Sequence, residues 1–177
     1  GLLADTNVTT YTMAATNDSH ADFTIDDAEA MTAQLPDSLH NNAAWFMSPT
    51  MWAHLKSLKD TAGNYILGQN NGAISTAVKV DGIKPRGTLA EYPVFTSAHF
   101  PAYDSGTSAS EKFLVFADLS KAIFFGDREN MTFAKSDSAT VNSKNVFAAN
   151  QTAFRMTHRH AISVGLPAAC VVAKTSA

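Results

Sequence analysis

The chain has 177 residues, 45% of them apolar and 16% charged, with a net charge of −3. That length suits one domain, or one compact body with two lobes. The 13 Lys and Arg are scattered, which argues against a dedicated nucleic-acid binder, and no stretch approaches the roughly 20 apolar residues of a membrane span.

The charge deficit is made up by 33 Ser and Thr and 11 Asn, a surface that is polar but weakly charged. Fewer ions then need desolvating when one protein face meets another, so broad contacts with protein are favoured. A lone cysteine, Cys170, excludes an internal disulfide and fits folding in a reducing cytoplasm. Its neighbours Ala168, Ala169, Val171 and Val172 mark it as a small buried apolar residue. No signal peptide is visible, and Gly1-Leu2-Leu3, without an initiator Met, is expected to be a processed, cut or cloned start.

In chain order, residues 1–21 read as an extended or loose lead-in. Thr24, with Asp27 three residues on, caps a helix whose inner stripe is Ile25, Ala28, Met31 and Leu35 and which Pro36 ends. Ala43–Met47 reads as a buried strand. Ser48-Pro49 opens a second helix, with Trp52, Leu55 and Leu58 inside. Lys59–Asn64 is a turn and Tyr65–Leu67 starts an extended piece. Gly68, Gly72, Gly82 and Gly87 lie among polar residues, so 68–87 is expected to be a loop or hairpin.

Tyr92–Thr96 reads as a strand that Pro93 pushes toward a sheet edge. Residues 101–111 are the most loop-like stretch. Phe113–Ala117 is a second buried strand and Ala122–Phe125 a third. From Met131 the pattern turns to long strands. Thr152, Phe154, Met156 and His158 fall on one face, opposite Ala153, Arg155, Thr157 and Arg159, which predicts a half-buried strand. Pro167 precedes a last strand over 168–173. Helices and strands mixed without βαβ alternation indicate an α+β fold. A central sheet from 43–47, 92–97 and 112–117 is expected, flanked by helices near 25–35 and 49–58. Strands near 147–159 and 168–173 are expected to form a separate lobe.

From Trp45 onward the order of segments resembles a known family. Ala44-Trp45-Phe46-Met47-Ser48-Pro49 is followed by a helix ending Leu58-Lys59-Asp60 and then by Gly63-Asn64-Tyr65-Ile66-Leu67. Later come Gly87–Val94 with Pro93-Val94, Leu114–Ser120 with Ala117-Asp118-Leu119-Ser120, and Ile123–Arg128. Phe147–Ala169 closes the series with Arg155 and Pro167-Ala168-Ala169. Each motif is generic, but the series over 22–173 resembles tailed-bacteriophage major capsid proteins. The resemblance implies a Hong Kong 97-type capsid fold: a lead-in at 1–18 belonging to the peripheral domain, an axial domain at 19–127 and peripheral strands at 128–177. The family's N-terminal arm, E-loop and spine helix have no counterpart here. The chain is therefore expected to be a C-terminal portion that associates weakly by itself.

The implied function is that of a structural subunit of an icosahedral phage or prophage capsid, self-assembling into pentamers and hexamers around a genome. Its partners would be copies of itself, with scaffold, portal or decoration proteins and non-specific contact to packaged DNA, but no membrane. Its place would be the virion, assembled in the bacterial host cytoplasm. Two alternatives stand beside it: a shell protein of an encapsulin-like compartment, and a small hydrolase or metal enzyme.

No residue is assigned as catalytic, cofactor-binding or metal-binding, and no cofactor is expected. His158 and His160 would share one side of a strand, but no third ligand has recognisable spacing. No Gly-x-Ser-x-Gly elbow is present, so Asp104, Ser105 and the histidines read as ordinary loop polars. Trp45, Trp52, Phe124 and Phe125 are expected to pack in the core. Some family members cross-link a strand asparagine to an E-loop lysine. Asn150 lies near the matching place, but the following strand has no carboxylate, and it is not assigned that role. The chain is expected to bind no stoichiometric zinc and to turn over no generic ester, phosphate or peptide.

Overall fold

The computed structural model describes residues 2–67 and 83–177, which divide into two compact units. The first comprises residues up to Ile123 together with Val164–Ala177, and the second is Phe124–Ser163.

The first unit is built on a six-stranded mixed sheet. Its strands are β1 (Thr9–Thr12), β2 (Ala44–Met47), β3 (Gly87–Leu89), β4 (Tyr92–Thr96), β5 (Lys112–Ala117) and, from the chain's end, Cys170–Lys174. Across the sheet the order is β1, Cys170–Lys174, β5, β2, β4, β3. Trp45 pairs with Val94 on the parallel side and with Phe116 on the antiparallel side. Phe113 to Ala117 are all buried. Successive strand residues point to opposite faces, so both faces of the sheet are covered there.

Helix α1 (Ile25–Gln34) starts as expected. Asp27 N–H donates to the Thr24 hydroxyl at 3.3 Å and Thr24 N–H donates to the Asp27 carboxylate at 2.9 Å. Ala28 and Met31 are fully buried, and the helix stops at Leu35 before Pro36. Helix α2 (Pro49–Ser57) is capped by the Ser48 hydroxyl, which accepts from Met51 N–H, and buries Met51, Trp52 and Leu55. Trp45 anchors the middle: its indole N–H donates to the Leu89 carbonyl at 2.9 Å and its ring lies 4.5 Å from that of Phe116. The expected central sheet of β2, β4 and β5 with its two helices is present.

Several expectations are corrected. The lead-in is not loose throughout, because β1 adds to the sheet in parallel with the last strand. That last strand, expected in a separate lobe, pairs antiparallel with β5 inside the main sheet. Its residues Cys170 to Ala173 are fully buried, and an apolar run of that kind needs the core on both sides. Strand β4 is not the edge, since β3 covers it through a tight hairpin. The turn residues Ala90 and Glu91 both have positive φ, 47° and 68°, the backbone of a primed hairpin turn that Asn and Gly usually supply. Of the loop expected over 68–87, residues 68–82 lie outside the described residues, and Gly87 begins β3. Ala122 ends a single helical turn, α3 (Leu119–Ala122), capped by Asp118, instead of starting a strand.

The second unit is a ribbon. Strand β6 (Ile123–Ser136) enters it, the small hairpin β7 (Thr140–Val141) and β8 (Lys144–Asn145) caps its far end, and β9 (Ala153–Val164) returns. Asn142 and Ser143 turn the hairpin with φ of 51° and 62°. The closing strand of the first unit, Cys170–Lys174, is β10.

Candidate interaction surface

Strands β6 and β9 form a two-stranded sheet. Side-chain neighbours fix how they lie. Phe125 stacks on His160, Asp127 lies 3.4 Å from His158, and the Phe133 ring lies 6.2 Å from that of Phe154. Rising numbers on one strand meet falling numbers on the other, so the strands run antiparallel. The same contacts put odd residues of β6 on the face that carries even residues of β9.

By the period of two along a strand, that face collects Phe125, Met131 and Phe133 from β6 and Phe154, Met156 and Ile162 from β9. All six are exposed, Phe133 by 70% and Phe154 by 65%. The opposite face carries Arg128, Asn130, Thr132, Arg155, Thr157 and Arg159. The alternation predicted for β9 is thus present. The expectation of a half-buried strand is corrected, because the apolar face is uncovered within this chain. Phe124 and Phe125, expected in the core, are both corrected, because each is 61% exposed, Phe125 on this face and Phe124 on the opposite one, while Trp45 and Trp52 are buried as expected. Six exposed apolar side chains gathered on one face, though Asp127, His158 and His160 stand among them, mark a surface suited to binding other protein.

The far end of the ribbon is held by polar contacts. Thr152 donates to the Asp137 carboxylate at 2.9 Å, and Asp137 also lies 3.7 Å from the Lys135 ammonium. Asn150, in a turn with φ of 52°, precedes it. Two hollows here are lined by Val141, Lys144, Gln151, Thr152, Phe154 and Arg155 among others. Neither lining holds a carboxylate or a histidine to serve as general base.

In the first unit Asp104 and a histidine do meet, but in a different geometry from a triad. The Asp104 backbone N–H donates to His20 Nδ1 at 3.1 Å, and His20 Nε2 lies 3.4 Å from Glu111. The Asp104 carboxylate accepts from Gly106 N–H at 2.8 Å. Thr175 donates to the Ser108 carbonyl, and Ser176 N–H donates to the Asn17 carbonyl at 3.0 Å. These bonds tie the 101–111 loop and the C-terminal residues to the sheet's edge. Cys170 is buried, and that burial pushes its thiol up to about 12, with Lys112 opposing, so its thiolate is suppressed at neutral pH. His158 and His160 do share one side of β9, their Nδ1 atoms 3.1 Å apart. Among the described residues no three His, Cys, Asp or Glu converge in a metal-binding group.

Comparison with known proteins places this geometry. The sequence model of the phage capsid family matches residues 1–175. Among solved structures, the capsid of the empty GTA particle, computed with C5 symmetry, is similar with a TM-score of 0.63 at 19% identity, over 96% of this chain and 50% of that one. A chain from Gordonia phage Cozz is similar with a TM-score of 0.57 at 17% identity, over 97% of this chain and 51% of that one. Mycobacterium phage Che8 supplies another, with a TM-score of 0.54 at 18% identity, over 94% and 53%. No curated protein matches the sequence. The chain spans about half the length of these solved chains, and the fold it shares with them is the one implied by the order of its motifs.

Proposed function

This chain belongs to the phage capsid family, and from that premise we propose that it is a structural subunit of an icosahedral phage or prophage capsid, made to pack against protein and not to transform a substrate. The observation that carries the reading is the family match over residues 1–175, joined to a fold similar to that of GTA capsid chains. The uncovered apolar face of the ribbon supports it physically, since burying one exposed Phe contributes about 1.5–3 kcal/mol and this face presents three.

Within that reading, the six-stranded unit is the axial domain and residues 124–163 are part of the peripheral domain, in place of the boundaries at 18 and 127 expected from sequence. Copies of itself are the principal partner, in pentamers and hexamers that close by rotation. Scaffold, portal and decoration proteins, and non-specific contact with packaged DNA, complete the proposal, with the virion as its location. Among the described residues no helix is long and apolar enough to cross a membrane.

The test is electron microscopy of the protein expressed from its whole gene in a bacterial host. Closed shells with five-fold vertices are expected, and their loss on Phe133→Asp/Phe154→Asp. A soluble monomer with enzymatic turnover would overturn the reading, and shells filled with a cargo enzyme would move it to the encapsulin-like alternative.

A further inference from the structure

We propose that His158 and His160 form a chelating site for a divalent transition-metal ion of borderline softness, such as Cu(II) or Zn(II), on the apolar face of the ribbon. Residues two apart on a strand project to the same side, and here the two Nδ1 atoms come within 3.1 Å of each other with ring centroids 5.0 Å apart. Metal–imidazole bonds are about 2.0–2.1 Å long. Two nitrogens 3.1 Å apart would then subtend about 98° at a shared ion, between the angles of square-planar and tetrahedral coordination. His160 is exposed and His158 partly so, so a small rotation of each ring turns both lone pairs onto a common point.

The surroundings select the tautomer that such a site needs. His158 Nε2 lies 3.4 Å from Asp127 Oδ1. A proton held on Nε2 by that carboxylate leaves Nδ1 with its lone pair free, the arrangement that fixes the tautomer and orientation of a ligating imidazole. His160 stacks on Phe125 at 5.6 Å between centroids, which limits its ring to few orientations. The basic neighbour Arg159 is engaged by Glu129, 3.3 Å away. Imidazole suits Cu and Zn, and affinity for a mixed-donor site peaks at Cu(II). Two protein ligands leave the remaining positions to water or to a group from whatever covers this face. Spacing alone gave no metal site because a third ligand was sought along the chain. Asp127, whose carboxylate faces His158 Nε2, comes from the other strand, where spacing does not reach.

The experiment is a Cu(II) titration of the 177-residue chain followed by electron paramagnetic resonance and by competition with a chelator of known affinity, with Zn(II) in parallel. One equivalent bound through two imidazole nitrogens is expected. His158→Ala or His160→Ala should weaken binding at least tenfold, Asp127→Asn about tenfold, as outer-shell partners do, and His99→Ala not at all. Should a variant fail to fold, selective broadening of the His158 and His160 imidazole resonances by substoichiometric Cu(II) in the unaltered chain reads the same site. Binding that persists unchanged in His158→Ala/His160→Ala, or broadening spread over all six histidines, would overturn the proposal without touching the capsid reading.

Discussion

The Tyr11 hydroxyl donates a 2.7 Å hydrogen bond to the Asp27 carboxylate, so the residue that caps helix α1 also ties that helix to strand β1. Asp27 thereby accepts from Thr24 N–H, from the Thr24 hydroxyl and from Tyr11. Removing the phenol hydroxyl with Tyr11→Phe should cost about 0.5–1.5 kcal/mol, and Asp27→Ala, which also loses the cap, about 1–2 kcal/mol. Urea denaturation of the two variants and the double variant measures the coupling.

The same contact predicts a titration. Burial first, and the Asp27 hydrogen bond and charge second, push the Tyr11 phenol up from 10 to about 12. The folded state therefore holds this proton where the unfolded chain has lost it. Its contribution to stability is complete below pH 10 and is lost as pH rises toward about 12. Ultraviolet titration of the phenolates should show Tyr11 ionising late, and Asp27→Asn should bring it earlier.

Gly87 faces Trp52 so closely that an added Cβ would lie 2.4 Å from the indole Cζ2. Gly87→Ala should thus destabilise the first unit by about 1–3 kcal/mol through overpacking. Trp52→Phe combined with it should recover part of that loss, because the clash is with the far end of the indole. Additive losses in the double-mutant cycle would show that the two sites do not interact.

Ala90 and Glu91 make the β3–β4 turn in a left-handed conformation that costs an L-residue about 1–2 kcal/mol. Replacing them by Asn-Gly should raise the unfolding free energy by about 1 kcal/mol, read as a higher Tm with an unchanged near-ultraviolet spectrum.

Burial holds His54 below its ordinary value of 6.5, against a hydrogen bond to the Ala21 backbone that pulls the other way. Its ring stacks on Tyr103 at 4.3 Å, and Nε2 is buried without a partner. The unfolded chain binds this proton more readily than the folded one. The resulting penalty is absent above about pH 6.5, grows as pH falls below it, and levels off once the folded state also protonates. Stability should accordingly rise with pH toward neutrality, and His54→Phe should flatten that slope.

Where local pattern and tertiary contact agree, the fold was legible. Thr24 and Asp27, Ser48 and Pro49, and the run Phe113–Ala117 each formed the element their chemistry favours. What was hidden rests on partners far away in sequence. Strand β1 is four residues, three of them Thr, and becomes a strand because the buried Val171–Ala173 offers it a ladder. The β3–β4 hairpin was invisible because Ala-Glu is a poor sequence for its turn. Phe124 and Phe125 read as core because an apolar run carries no mark of what will cover it. The His158–His160 pair was visible as a spacing, while Asp127 reaches it only through the ribbon's pairing.

That uncovered face supports the last prediction. Phe133 and Phe154 meet on it toward the β7–β8 end, 6.2 Å between centroids, and both are largely exposed. Neither belongs to the six-stranded unit, so replacing both with Asp should leave that unit's unfolding transition unchanged within about 0.5 kcal/mol, the range of surface substitutions. The exposed apolar area should meanwhile make the unaltered 177-residue chain self-associate weakly with rising concentration and bind a hydrophobic dye. Stable protein interfaces generally bury about 1,200–2,000 Å² in total, and one two-stranded ribbon face is a modest share of that, so closed pentamers or hexamers are not expected from this chain alone. Sedimentation velocity from 1 to 100 micromolar (roughly the span over which such weak contacts develop) should show a concentration-dependent shift that Phe133→Asp/Phe154→Asp abolishes together with dye binding. A shift of equal size in that variant would place the association elsewhere on the molecule and remove the ribbon from the capsid contacts.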